Sequence, residues 1–138
     1  MFRKILLAAD GSEHAFRAAE KAAEMATWKK ARITVLYVVD SSTSKNDVLL
    51  EGDRGAVNER RKQRLSPIEN LLAEEDVEYD IKILKGDPGP AIVEYANQNG
   101  YDLVVVGSRG LNSLQEMVLG SVSHKVAKRV HCPVMIVK

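Results

Sequence analysis

The chain has 138 residues, 45% hydrophobic and 28% charged, which suits one domain with a buried core of ordinary size. Its 20 basic and 19 acidic side chains leave a net charge of +1, so charge balance argues against DNA, RNA or an anionic membrane as the main partner. Cys132 is the single cysteine, which excludes an internal disulfide and a cysteine-based zinc cluster within one chain.

In chain order, the first apolar run covers residues 5–9 and is cut by Asp10. It is too short for a secretory h-region of about 7–15 residues and reads as a strand. No run reaches the roughly 18 apolar residues of a membrane span, and the expected location is the cytoplasm. Residues 12–29 follow as a helix, with Ser12 as N-cap and Phe16, Ala19, Ala23 and Ala26 on one stripe. The run 33–39 is the second strand. Residues 40–55 are polar with no clear element, and the length of the connection suggests a mobile loop beside the site.

Residues 57–75 have a helical pattern in which Ser66-Pro67-Ile68-Glu69 reads as a capping box with proline at the first helical position. A break or kink is expected there. Arg60, Arg61, Lys62 and Arg64 in this stretch read as a solvated helix face. Runs 79–84, 103–106 and 134–137 are the remaining strands, and continuous apolar character suits parallel strands covered on both faces. Residues 88–98, closed by Asn-Gly, form another helix. The last helix carries Leu119, Val122, Val126 and Val130 on one stripe, with Lys128 and Arg129 complementing its C-terminal dipole. Neighbouring His131 and Cys132 would point to opposite faces of a strand and form no catalytic dyad. The alternation of five strands with four helices predicts an α/β fold, a doubly wound parallel sheet in one domain over 1–138. Its ligand crevice would lie where the winding reverses.

The chemistry concentrates between the fourth strand and the last helix. Gly107, Gly110, Gly120 and Ser121 read G-x2-G-x9-G-S across GSRGLNSLQEMVLGS. Glycines admit close approach of backbone N–H groups, and a helix N-terminus adds unpaired donors and partial positive charge. The segment therefore reads as a phosphate cradle, to which the Ser121 and Ser123 hydroxyls add donors; the competing reading is a tight turn followed by an ordinary helix start. Neither a Walker lysine motif nor a G-x-G-x-x-G fingerprint is present, which argues against a P-loop NTPase and an ordinary NAD enzyme. Asp10 in Asp-Gly-Ser is both a good turn and cap residue and a candidate ligand contact.

Asp10-Gly11-Ser12-Glu13 after the first strand, the G-x2-G-x9-G-S spacing, and the closing Cys-Pro-Val-Met-Ile-Val-Lys resemble the universal stress protein family, and more narrowly its ATP-binding branch. The resemblance spans the chain. It implies a five-stranded sheet in the order 3-2-1-4-5, ATP in the crevice between the first and fourth strands, and a homodimer. Residue by residue, it implies that Ala8 and Ala9 line the base pocket, Asp10 binds near the ribose or adenine, and Val38 contacts adenine. Gly107, Ser108, Arg109 and Gly110 would wrap the ribose and phosphates, and Gly120, Ser121, Val122 and Ser123 would hold the phosphates. One aspartate and a few hydroxyls make a poor all-protein cation site, so Mg²⁺ or Mn²⁺ would ride on the phosphates.

Phosphoryl transfer needs a positioned nucleophile and strong charge stabilisation. His124 and Glu116 are unconvincing bases, and the expected function is a regulatory ATP-binding protein with little or no turnover. The alternatives are a slow ATPase or nucleotidyl transferase, and a scaffold of the same family that binds no nucleotide. Leu111, Leu114 and Met117 in the loop 111–119 are candidate contacts for protein partners, whose identity is not legible; the competing reading is that they pack against their own domain. The apolar last strand, at a sheet edge, is the expected dimer contact.

Overall fold

The structure, a computed structural model, describes residues 3–39, 54–109 and 119–138. Two sequence expectations lie outside the described residues: the loop expected over 40–55, except for residues 54 and 55, which open a helix instead, and residues 110–118 with Gly110, Leu111, Leu114, Glu116 and Met117. The five strands are β1 (Lys4–Ala9), β2 (Arg32–Val39), β3 (Tyr79–Lys85), β4 (Leu103–Gly107) and β5 (Val134–Val137). The four helices are α1 (Glu13–Lys29), α2 (Arg54–Glu74), α3 (Pro88–Gln98) and α4 (Ser121–Arg129). All strand pairings are parallel, in the order β3-β2-β1-β4-β5, as the family resemblance implied.

Period-two alternation sorts the central strands into two cores. Ile5, Leu7, Ala9, Ile33, Val35, Tyr37 and Val105 face α1 and α2. Leu6, Ala8, Leu36, Val104 and Val106 face the opposite layer, where Ile92, Ala96 and Val126 of α3 and α4 meet them. α1 buries Ala15, Ala18, Ala19, Ala22, Ala23 and Ala26, small side chains that let it lie close to the sheet. Phe16, expected on that stripe, sits at its margin and is only partly buried.

The chain departs from expectation at α2. One uninterrupted helix runs from Arg54 to Glu74 with Pro67 inside it. Ser66 does not cap; its hydroxyl donates to the carbonyl oxygen of Lys62 at 2.7 Å. Leu65, Ile68 and Leu72 are all buried. Burying three such side chains contributes about 1.5–3 kcal/mol each, more than the roughly 3 kcal/mol that a mid-helix proline costs.

β1 lies at the reversal of winding, with β2 on one side and β4 on the other. Its C-terminal end therefore opens into the crevice where this architecture accommodates ligands. Among the described residues, no helix is long and apolar enough to cross a membrane.

Candidate functional site

The end of β1 is shaped by a local hydrogen-bond relay. Asp10 Oδ1 accepts from the Ser12 N–H at 2.9 Å, and Ser12 Oγ accepts from the Ala15 N–H at 3.1 Å as the N-cap of α1. Between them Gly11 has φ +87°, a left-handed conformation that side chains disfavour. Its Cα also faces α2: a Cβ there would lie 2.9 Å from Arg64 Cγ. Arg64 in turn donates to the Tyr37 hydroxyl at 2.9 Å. This corrects the reading of the basic cluster as wholly solvated, because Arg64 turns inward across the end of β1.

At the end of β4, Gly107 is held from both layers. On one side a Cβ would come within 2.8 Å of the backbone carbon of His14, so the first turn of α1 rests directly on this residue. On the other, its carbonyl oxygen accepts from the buried Ser123 hydroxyl in the first turn of α4. The Ser108 N–H continues the β4–β5 ladder to Val137 O at 2.7 Å, and the Ser108 carbonyl accepts from the Gly120 N–H at 2.8 Å. The two ends of the connection 108–120 are thereby tied together.

This placement divides the labour among the predicted cradle residues. The Gly120 amide is committed to Ser108, and the first bond of α4 runs from the His124 N–H to the Gly120 carbonyl at 2.9 Å. The amides of Ser121, Val122 and Ser123 precede that bond and have no intrahelical acceptor. No acidic residue stands in the first turn of α4 to neutralise its positive end. Ala8, Val38 and Val122 belong to one apolar cluster on the α4 side of the sheet, whereas Ala9 faces α1. Ala8, Ala9, Asp10, Val38, Gly107, Ser108, Arg109, Gly120, Ser121, Val122 and Ser123 thus all lie at or beside the C-terminal ends of β1, β2 and β4.

Arg109 extends toward α1, with Nη2 2.8 Å from Nε2 of His14. Burial lowers the His14 pKa below its ordinary value, and the positive charges of Arg109 and Arg17 lower it further against the opposing pull of Glu13 and Asp10. His14 is not among the residues singled out from the sequence, and Arg64 was assigned to a solvated face. The only signal for His14 was its position in the helical turn that Asp-Gly-Ser opens. An open cavity of about 390 Å³ lies between α1 and α2, lined by Gly11, Phe16, Arg17, Arg64, Pro67 and Ile68 among others; none of the predicted site residues lines it. Among the described residues, no group of three or more histidine, cysteine or acidic side chains is arranged to hold a metal ion.

The sequence matches the model of the universal stress protein family over residues 1–138. It is 36% identical over 148 residues to universal stress protein YxiE of Bacillus subtilis, covering all of both chains. The solved structure of protein MJ0577 of Methanocaldococcus jannaschii superposes with a TM-score of 0.85 at 31% identity, covering 100% of this chain and 96% of that one. The universal stress protein of Archaeoglobus fulgidus, solved in complex with dAMP, shares the fold with a TM-score of 0.72 at 22% identity, covering 100% and 98% of the two chains.

Proposed function

Because the chain belongs to the universal stress protein family, we propose that it is a regulatory nucleotide-binding protein of the cytoplasm, a single domain that holds ATP in the crevice between β1 and β4. The observation that carries this reading is the first turn of α4. Its Ser121, Val122 and Ser123 amides stand at the glycine-tied end of β4, beside the apolar Ala8, Val38 and Val122. An anion on those amides and a flat apolar base beside them match the two halves of a nucleotide. The dAMP carried by the Archaeoglobus fulgidus relative supports the reading. Asp10, at the end of β1, would meet the ribose or base. Arg109 and Gly110 would close over the phosphates, with Mg²⁺ or Mn²⁺ carried on the phosphates themselves.

Occupancy rather than consumption of ATP is the functional event in this proposal. Neither histidine at this end of the sheet is well placed as a base for phosphoryl transfer: His14 is engaged by Arg109, and His124, the base weighed in the sequence, is exposed on α4. Calorimetry with ATP, ADP and AMP tests the binding, with saturable binding expected for the native chain and none for Gly110→Val combined with Ser121→Glu. Phosphate release near the usual enzyme median of about 10 s⁻¹ would replace the regulatory reading with an ATP-consuming one. Dimerisation through β5 is part of the proposal, since β5 pairs with β4 on one side only and Ile136 is exposed. Sedimentation at tens of micromolar (roughly the range where edge pairing should persist) should show a dimer; monomer alone would remove that part.

A further inference from the structure

His14 and Arg109 are far apart in sequence, yet the fold brings them together with little freedom. The His14 backbone is pressed against Gly107, so its side chain springs from a fixed point beside the end of β4. Two residues after Gly107, Arg109 places Nη2 2.8 Å from His14 Nε2. A guanidinium has donors only, so the contact requires an unprotonated Nε2 and sets the imidazole as the neutral tautomer with its proton on Nδ1. The α1 layer, where this contact forms, lies across the sheet from the α4 layer that holds Val122 and Val126.

We propose that His14 is a proton-sensitive positioning residue for the nucleotide phosphates: as neutral imidazole it helps to keep the Arg109 guanidinium on the α1 side of β4, and as imidazolium it repels it toward the first turn of α4. This rests on the nucleotide reading and adds a regulator to it.

A proton on Nε2 removes the acceptor and sets two like charges against each other, so a single event turns attraction into repulsion. The released fork is suited to phosphate oxygens, and the imidazolium adds a second positive charge nearby. Burial together with Arg109 and Arg17 favours the neutral ring, while Glu13 and Asp10 favour the charged one. Arg64 of α2 lies over Gly11, and Lys138 follows β5, on which α1 also packs. Phosphate arriving at this site opposes the cationic side of that balance, so nucleotide binding and proton uptake at His14 are linked.

Calorimetric titration with AMP and ATP between pH 5.5 and 8, on the native chain and on His14→Gln, tests the linkage. Glutamine offers Arg109 an amide oxygen at every pH and does not titrate. The phosphates themselves titrate in this range, so the quantity read is the ratio of native to variant affinity. It should rise about fivefold or more toward the acid end. Native binding measured in buffers of different ionisation enthalpy should show proton uptake that the variant lacks. Parallel profiles with equal proton uptake would overturn the role of His14 and leave nucleotide binding intact. Absence of native binding would overturn both. In the nucleotide-free chain, Arg109→Ala should raise the His14 titration midpoint followed by NMR; an unmoved midpoint would also overturn the proposal.

Discussion

Replacing Gly107 with alanine isolates a structural demand inside what the sequence presents as a ligand motif. The new Cβ would stand 2.8 Å from both the backbone carbon and Cβ of His14, and 2.9 Å from its carbonyl oxygen. Ordinary carbon contacts lie at about 3.5–4.0 Å, so the first turn of α1 would have to recede by roughly 0.7 Å or more. That turn is capped by Ser12 and continuous with the buried alanine face of α1, and it cannot move alone. Overpacking of this kind costs about 1–3 kcal/mol, offset by about 0.4–1 kcal/mol from the stiffer unfolded chain. With backbone as the obstacle, a net loss of about 2 kcal/mol is expected, or about 7 °C in Tm for a chain of this length. Gly89→Ala is the matched control. Its Cβ would also meet an atom at 2.8 Å, but that atom is Lys125 Cδ on a flexible side chain. Its position in α3 favours alanine, so it should be neutral or slightly stabilising. Urea unfolding of both variants reads the contrast. A Gly107→Ala midpoint equal to the native one, or equal losses for the two variants, would show that the His14 backbone does not confine Gly107.

Gly11→Ala should cost about 1–2 kcal/mol, because φ +87° is unfavourable for a side chain and the Cβ would displace Arg64; thermal unfolding checks it. Ser123→Ala should lose about 1–2 kcal/mol with or without nucleotide, since its buried hydroxyl holds the Gly107 carbonyl; an effect confined to the ligand-bound protein would contradict that role. Asp102 Oδ2 accepts from the Arg3 and Lys4 N–H groups at 2.9 Å each, and these bonds lower its pKa. A depressed carboxyl contributes stability that is full above about pH 4 and is lost as pH falls through the lower folded value. Asp102→Asn should therefore lower stability by about 1 kcal/mol at pH 7 and converge on the native chain in acid, as read by urea midpoints across pH.

The strands were legible because their signal is local. Runs such as LVVV and ITVLYVV admit few alternatives, and each strand begins and ends within one residue of its expected bounds. The order 3-2-1-4-5 was not written in periodicity; it came with the family resemblance. At Ser66-Pro67-Ile68-Glu69 the local pattern is a good helix start, and only the burial of Leu65, Ile68 and Leu72 against α1 and the sheet explains why α2 runs through it. The same rotation of α2 decides which basic side chain turns inward, so Arg64 could not be separated from Lys62 beforehand. In the candidate site, the residues around Gly107 and Gly120 were legible through spacing. The pairing of Arg109 with His14 was not, because it depends on how closely α1 approaches Gly107, a residue distant from His14 in sequence.

In the proposed complex, nucleotide lies at the ends of β1, β2 and β4 with its phosphates on α4. Backbone amide chemical-shift mapping during titration with ATP tests it most directly. Saturable shifts are expected at residues 8–10, 38, 107–110 and 120–123, with the largest at Ser121 and Val122. Shifts confined to Phe16, Arg17, Arg64 and Ile68 around the cavity between α1 and α2 would contradict it, as would an unchanged spectrum at saturating nucleotide.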